Sequence, residues 1–212
     1  MVANKNTSLR SAFTLIELIF AIVIISIAVI SLPMMARITS KGVESNIAQE
    51  AIFAASAELM GATSYYWDKN SMQDINVSSL SRVIDINQKC DNNPLSSRYR
   101  LRPGHIAQPL HRRCLDSNTT PIANESDATF PNINNAAHSG GLDIFDNPIA
   151  EDSGYKETYK SDVSVANVDE NGTTNDNIKK ITVTVSNAEG NITSLSTYSA
   201  NIGEFDYFKR MF

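Results

Sequence analysis

An almost unbroken apolar run over residues 13–36 constrains this chain more than any other feature of its sequence. The run contains 24 residues, and Glu17 is its one charged side chain. As an α-helix it would be about 36 Å long, which is enough to cross a hydrocarbon core of about 30 Å. Lys5 and Arg10 precede it without an acid, so we expect its N-terminal end to stay in the cytoplasm. The run therefore predicts a single membrane-spanning helix.

The sequence after this run predicts that the helix continues beyond the membrane. Apolar residues recur at every fourth position, and acidic residues lie off that stripe. The stripe consists of Val43, Ile47, Ala51, Ala55 and Leu59, and the acids are Glu44, Glu50 and Glu58. We expect the helix to end near Tyr66 or Trp67. A secretory signal peptide would instead have a shorter apolar stretch followed by a small-residue cleavage site.

The overall composition argues against two classes of protein. The 212 residues carry 18 Lys and Arg against 23 Asp and Glu, for a formal net charge of −5. This balance does not suit a wholly basic nucleic-acid binder or an acidic disordered chain. The sequence also contains no P-loop, GxGxxG, GxSxG or HExxH motif. We therefore expect a protein that is not an enzyme, with one apolar element and a polar body.

Glu17 lies near the start of the apolar run, where a charged side chain is costly in a bilayer unless it is paired. A free amino group at Phe13, produced by cleavage after Ala12, would supply that partner. The segment Phe-Thr-Leu-Ile-Glu at residues 13–17 follows a small residue and opens the apolar run. This pattern resembles the N-terminus of type IV pilins and of the pseudopilins of type II secretion.

The resemblance implies a subunit that is processed and assembled. A prepilin peptidase would cut after Ala12, Phe13 would become the N-methylated N-terminus, and Glu17 would neutralise the amino group of a neighbouring subunit. The residue before the cut is usually Gly in this family, so Ala12 is a departure that we expect to slow cleavage. Pro33 lies close to a helix-kinking proline of many pilins, and it should bend or locally melt the helix.

The body has its clearest β pattern near the C-terminus. Ile181, Val183 and Val185 alternate with polar residues, residues 187–191 form a turn, and residues 192–200 return as a second strand. Residues 77–86 indicate a strand or extended segment and residues 98–101 a short strand, whereas residues 115–162 are rich in loop formers. The predicted fold class is α+β, a pilin-like lollipop whose long N-terminal helix packs on a small C-terminal antiparallel sheet.

The predicted organisation has four parts. They are a cytoplasmic prepilin leader (residues 1–12), a transmembrane and assembly helix (13–36), its amphipathic continuation (37–67) and a periplasmic or extracellular loop-rich β domain (68–212). The expected location is the bacterial inner membrane, which the chain would cross once with its body in the periplasm. It would then enter a pilus or pseudopilus.

Cys90 and Cys114 are the only cysteines of the chain. Because there is no CxxC pair and no Cys/His cluster, the sequence does not indicate a zinc site. If the apolar helix exports the body, a disulfide between the two cysteines is the expected state. Two free buried thiols are the alternative.

A basic segment lies between the two cysteines. It runs from Arg98 to Arg113 and contains five arginines and no acid. The arginines are Arg98, Arg100, Arg102, Arg112 and Arg113. On a strand, the first three would share one face. Because guanidinium forks suit phosphate groups, the segment is a candidate contact for the DNA backbone, and some pilin-like systems take up DNA. The alternative is that these arginines pair with the acidic loops or with neighbouring subunits.

An acidic loop is the candidate for a bound metal ion. Residues 142–149 are loosely similar to the Asp-x-Trp-Gly-Asn-Pro-Tyr stretch of major pseudopilins, in which an acidic loop that binds calcium follows. Here Asp169, Asn171 and Asp176 would supply the oxygen ligands that Ca²⁺ prefers. Their spacing does not match an EF-hand, and a solvated turn is the alternative. No other cofactor is expected.

The body also contains five Asn-x-Ser/Thr sequons, and an acid stands two residues before the Asn in four of them. The four are Asn76, Asn118, Asn171 and Asn191, whereas Asn124 lacks the acid. With 23 acids in 212 residues, about half of one such coincidence is expected by chance. The pattern resembles the acceptor of bacterial N-oligosaccharyltransferases, whose glycans are bulky and solubilising. The alternative is a polar chain from a cell without that enzyme.

Together these features predict a structural subunit, a minor pilin or minor pseudopilin, that serves type II secretion, a type IV pilus or DNA uptake. Its expected partners are a prepilin peptidase and methyltransferase, other pilin or pseudopilin subunits, the inner-membrane assembly platform and the membrane, with nucleic acid as a further candidate. The alternative is a membrane-anchored periplasmic module that binds DNA or another ligand and is not assembled into a filament. An anchored enzyme would need a pocket that brings a histidine and a carboxylate together.

Overall fold

The computed structural model describes residues 14–74, 76, 79–105, 112–115, 120–144 and 158–204. The chain divides into two compact units, Met1–Ile47 and Ala48–Phe212, and each is described by itself. One helix, α1 (Leu15–Ser64), begins in the first unit and ends in the second. It stops shortly before the residues at which the sequence pattern predicted its end.

In the first unit, α1 carries no charged side chain between residues 18 and 36 and is apolar around its whole circumference there. Its large apolar side chains between residues 15 and 38 are all exposed. In the described part of the chain it is the one helix long and apolar enough to cross a membrane. Two hydroxyl groups inside this stretch donate to helix carbonyls, Ser26 to Ile22 at 2.7 Å and Ser31 to Ala28 at 3.0 Å. These bonds satisfy the hydroxyl groups without water, as a lipid environment requires.

The helix is continuous through Pro33. Because proline has no backbone N–H, it cannot donate to the carbonyl one turn earlier. The neighbouring turns nevertheless keep their helical form, so the prediction of local melting at Pro33 is wrong. A bend at this position stays a prediction.

The second unit is built on a four-stranded antiparallel sheet in which strands consecutive in sequence are neighbours. The strands are β1 (His138–Asp143), β2 (Lys160–Ala166), β3 (Ile178–Asn187) and β4 (Gly190–Ala200). The last two form the predicted C-terminal hairpin, and its register pairs Val183 with Leu195. The hairpin and the α+β class, with a long N-terminal helix packed on a small antiparallel sheet, are confirmed.

The core of the second unit lies between this sheet and the last turns of α1. Alternation along β3 buries Lys179, Ile181, Val183 and Val185. On the helix, the buried residues are Ala51, Ala54, Ala55 and Ala62. Small side chains at these positions allow the helix to pack closely. The predicted apolar stripe is therefore confirmed as buried at Ala51 and Ala55, whereas Leu59 is half-buried and the buried side also includes Ala54 and Ala62.

Residues 98–101 form a turn, so the strand predicted there is wrong. The N–H of Leu101 donates to the carbonyl of Arg98 at 2.8 Å. Arg100 has a φ of 60°, a left-handed conformation that an extended strand does not contain. The three alternating arginines therefore do not share the face of a strand.

Residues 79–86 are also not a regular strand. Their one bridge joins Val83 to Cys114. Asn201 holds the segment in place, because its side chain accepts the N–H of Ile84 at 2.9 Å and donates to the carbonyl of Ile84 at 2.7 Å. The buried side-chain amide of Asn201, which follows β4, thus forms the two hydrogen bonds with Ile84 that a neighbouring strand would otherwise form.

Cys90 and Cys114 form a disulfide, with their Cα atoms 6.5 Å apart. This confirms the pairing that the sequence predicted. Both cysteines are buried and pack with Val83, so the bond closes the basic segment onto the core of the second unit.

Replacing both cysteines by serine is expected to lower the free energy of unfolding by about 3 kcal/mol, because a cross-link over a loop of this length restricts the unfolded chain. Urea unfolding of the full chain in detergent measures the change. A reductant should destabilise the wild-type chain and leave the double variant unaffected. Equal unfolding midpoints for the two proteins without reductant would contradict the expectation.

Candidate functional site

Glu17 lies in the first turn of α1, and its side chain is exposed. The carbonyl of Thr14 accepts the N–H groups of Glu17 and Leu18, at 3.0 and 3.2 Å, and so begins the helix. A negative side chain at this end interacts favourably with the helix dipole. Ala12 and Phe13, the predicted cleavage and methylation residues, lie outside the described residues. The carboxylate of Glu17 is thus presented at the surface of the helix, where a group of another molecule can reach it.

The basic segment is brought together around the disulfide, and its arginines bond to the segment's surroundings. Guanidinium groups of four arginines donate to backbone carbonyl or amide side-chain oxygens. The donor–acceptor pairs are Arg98–Arg102, Arg100–Cys114, Arg102–Asn177 and Arg113–Tyr99. These bonds give the arginines a structural task in holding the loop.

The electrostatic effect of the arginines is visible at His105. Burial lowers the pKa of His105 first, and the positive charges of Arg102, Arg112 and Arg98 lower it further. The segment therefore concentrates positive potential in one place, as its sequence indicated. A contact between this segment and DNA stays a prediction. Guanidinium groups that would bind phosphate already donate hydrogen bonds to oxygens of the protein.

The acidic loop between β2 and β3 closes on itself through Asp169. Its Oδ1 accepts the N–H groups of Asn171 and Thr173, both at 2.9 Å. Residues 168 and 174 form a bridge that completes the turn. Within the described residues, no three His, Cys, Asp or Glu side chains are grouped so that they could hold a metal ion. The geometry favours the solvated turn, and calcium at Asp169, Asn171 and Asp176 gains no support from it.

A groove beside the last turns of α1 brings a histidine and a carboxylate together. It has a volume of about 540 Å³, and its lining includes Glu58 and His138. Ser161 joins the two, because its Oγ donates to Glu58 Oε1 at 3.2 Å and lies 3.1 Å from His138 Nε2. Such a cluster is the arrangement that an anchored enzyme would need, so its chemistry has to be considered.

Hydrogen bonds within the fold hold the members of this cluster in place. Ser161 is fully buried, and its hydroxyl group is directed at the carboxylate of Glu58. The two ring nitrogens of His138 lie 3.0 and 3.1 Å from the carbonyl oxygens of Ala136 and Ser161. The cluster fastens α1 to the first two strands.

A second cluster that the sequence analysis missed is the ion pair between Asp68 and Lys179. Lys179 Nζ lies 2.8 Å from Asp68 Oδ2, and both side chains are fully buried. Burial lowers the pKa of Lys179, and its hydrogen bond to Asp68 and the charge of Asp68 oppose that shift. The Nζ atom also lies 4.8 Å from the centroid of the Trp67 ring. The alternation of β3 indicates that Lys179 is buried, because it lies two positions before Ile181 and therefore on the same face of the strand.

Residues 7–32 match a protein family described as the prokaryotic N-terminal methylation motif. No curated protein and no solved structure matches the chain significantly. The motif, together with the apolar helix, fits a type IV pilin or pseudopilin. It supports a pilin-type subunit that is processed by prepilin peptidase and assembles with other pilin subunits, and the helix suggests membrane anchoring.

Proposed function

We propose that this chain is a minor pilin or minor pseudopilin of a type II secretion, type IV pilus or DNA-uptake machine. It is cut after Ala12, methylated at Phe13 and assembled through α1, while its body lies in the periplasm. The observation that carries the proposal is the N-terminal motif, which opens an apolar run with Glu17 as its one charge.

The exposed apolar surface of α1 supports assembly. In the membrane, lipid covers this surface; in a filament, the helices of other subunits cover it and replace the lipid contacts. The exchange needs no large change in solvation, because both surroundings are apolar. Glu17 is the exception, since its carboxylate needs an opposite charge in either place.

The body is proposed to be structural and without enzymatic activity. The cluster of Glu58, His138 and Ser161 acts as a fastener between helix and sheet, as its hydrogen bonds indicate. The sequence contains no nucleotide-binding motif, so the energy for assembly comes from other proteins at the inner-membrane platform.

Coexpression of the full chain with a prepilin peptidase is expected to remove residues 1–12 and to add one methyl group to Phe13. Intact-mass measurement and N-terminal sequencing detect both changes. A chain cut at any other position, or not cut at all, would contradict the proposed function.

Ala12→Gly is the matched variant for this experiment. It should be cleaved several-fold faster, because it removes the methyl group that departs from the family pattern, and the product should be identical. Ala21→Gly changes the same residue type inside the apolar run and should leave the cleavage rate unchanged.

A further inference from the structure

The described sequons all present their asparagine to solvent. Asn76, Asn124, Asn171 and Asn191 are exposed, and each lies in or next to a turn or loop; Asn118 lies outside the described residues. Asn171 is in the turn between β2 and β3, and Asn191 is the second residue of β4, just after the hairpin turn. An asparagine that accepts a glycan has to be reached by an enzyme, and exposed turns allow this.

Local turn structure explains two of the acids that precede these asparagines. Asp74 Oδ1 accepts the N–H of Asn76 at 2.8 Å, and Asp169 Oδ1 accepts the N–H of Asn171 at 2.9 Å. Asp side chains commonly close turns in this way. The same bond occurs between Asp91 and Asn93, which is not part of a sequon. At these positions the acid closes a turn, which leaves its second carboxylate oxygen available for recognition by another molecule. The sequon of Asn76 extends into residues 77 and 78, which lie outside the described residues, so the argument continues with Asn171 and Asn191.

The carboxylate of Glu189, unlike those of Asp74 and Asp169, does not close a turn. It lies in the exposed turn between β3 and β4, where its N–H donates to Asn187 Oδ1 at 3.0 Å. Its carboxylate makes no hydrogen bond or ion pair with any described residue. An acid two positions before Asn191 that contributes nothing to the turn is consistent with recognition by another molecule.

We propose that Asn171 and Asn191 are N-glycosylated by an oligosaccharyltransferase that recognises the preceding acid with a cationic group of its own. The donor is an oligosaccharide carried on a polyprenyl pyrophosphate. The carboxamide nitrogen of the asparagine attacks C1 of the first sugar, and a C–N bond forms. The bond between C1 and the pyrophosphate oxygen breaks, and the lipid pyrophosphate leaves with the electron pair of that bond. The amide nitrogen loses one proton, which passes to solvent.

The side-chain amides of the two asparagines are free to react, although the sequon of Asn191 lies at the start of β4 and pairs with the end of β3. Their side-chain amides make no hydrogen bond with the described residues. Opening the turn at Asp169 breaks two exposed hydrogen bonds, and water can replace them. Asn124 differs in three respects: Ile122 stands where the acid would be, its φ is 50°, and its Oδ1 accepts a bond from Asn167 at 2.6 Å. It is a comparison site built into the same chain.

Glycopeptide mass spectrometry of the full chain, purified from the membranes of its native cells, tests the proposal. Peptides that contain Asn171 and Asn191 are expected to carry the mass of an oligosaccharide, and the peptide that contains Asn124 is expected to be unmodified. If Asn171 and Asn191 are both unmodified, the proposal is overturned.

Glu189→Gln tests the recognition of the acid. This exposed substitution keeps the sequon and the turn but removes the charge, and it should lower the occupancy of Asn191 about tenfold. The occupancy of Asn171 in the same molecule is the internal reference and should not change. Unchanged occupancy of Asn191 would overturn the role assigned to the acid. This inference rests on the export of the body, which is part of the proposed function, but it does not need assembly into a filament. A chain that is glycosylated but not cut after Ala12 would therefore refute the proposed function and leave this inference standing.

Discussion

Glu17→Ala is expected to lower the amount of this subunit in filaments about 100-fold or more while leaving its insertion into the membrane unchanged. Glu17 is the one charge in an apolar segment of 24 residues. The variant therefore changes the electrostatics of α1 without changing its apolar surface or its length.

The two halves of this expectation have different physical reasons. Alanine removes a carboxylate that the bilayer disfavours, so insertion is not weakened. In the filament, the carboxylate would pair with the amino group of Phe13 in a neighbouring subunit. Removing one member of a buried pair leaves the other charge unpaired, which costs about 3–5 kcal/mol. The helix-dipole interaction of Glu17 is worth only about 0.3–1 kcal/mol and would not produce such a loss.

Immunoblots of sheared filaments and of membranes, from cells that make the remaining subunits, measure both quantities. Glu44→Ala is the matched control, because Glu44 is an exposed acid of the same helix that lies beyond the apolar run. It should leave filament levels within about twofold of wild type. Wild-type filament levels for Glu17→Ala would contradict the role of Glu17 in assembly. Absence of both the wild-type protein and the variant from filaments would favour the alternative of an anchored binding module that does not assemble.

The parts of the fold that the sequence predicted depend on short-range patterns. The apolar run and its continuation define α1, since the relevant spacing is one helical turn. The C-terminal hairpin follows from alternation on both sides of a turn, and the register of β3 and β4 needs no information from elsewhere. The N-terminal motif is likewise contiguous, and the family match covers the same residues.

The parts that could not be predicted depend on contacts between distant residues. Arg98, Arg100 and Arg102 alternate like a strand, but Arg100 adopts a left-handed conformation, and its guanidinium group bonds to the carbonyl of Cys114. Glu58 was placed off the buried stripe of α1, yet it accepts a hydrogen bond from Ser161, more than 100 residues later. The local spacing of residues in either segment does not indicate that Cys114 or Ser161 is the partner.

Lys179→Met is expected to lower the free energy of unfolding of the body by about 3–5 kcal/mol, because it leaves the carboxylate of Asp68 buried without its cation. Asp68 and Lys179 have no exposed side-chain surface, so water cannot replace the lost partner. The N–H groups of Asn70 and Ala123 still donate to Asp68, at 2.9 and 3.2 Å. They compensate only a part of the lost charge interaction.

Urea unfolding of the full chain in detergent, followed by the fluorescence of Trp67, measures this change. Trp67 is the only tryptophan, and its ring lies 4.8 Å from Lys179 Nζ, so it reports on the structure around the ion pair. Lys180→Met is the matched control. Lys180 follows in the same strand but is only half-buried, and its Nζ lies 5.8 Å from the ring of Tyr198. Its loss should cost about 1 kcal/mol at most.

A second substitution distinguishes a buried unpaired charge from a simple loss of packing. Asp68→Asn in the Lys179→Met background removes the charge and keeps an oxygen that can accept the N–H groups of Asn70 and Ala123. If the unpaired carboxylate causes the destabilisation, the double variant should be more stable than Lys179→Met alone, because a neutral amide is far less costly to bury than a charge. A double variant that is less stable than Lys179→Met would assign the loss to packing around Trp67. Equal stability of Lys179→Met and Lys180→Met would show that the ion pair contributes no more than a half-exposed lysine.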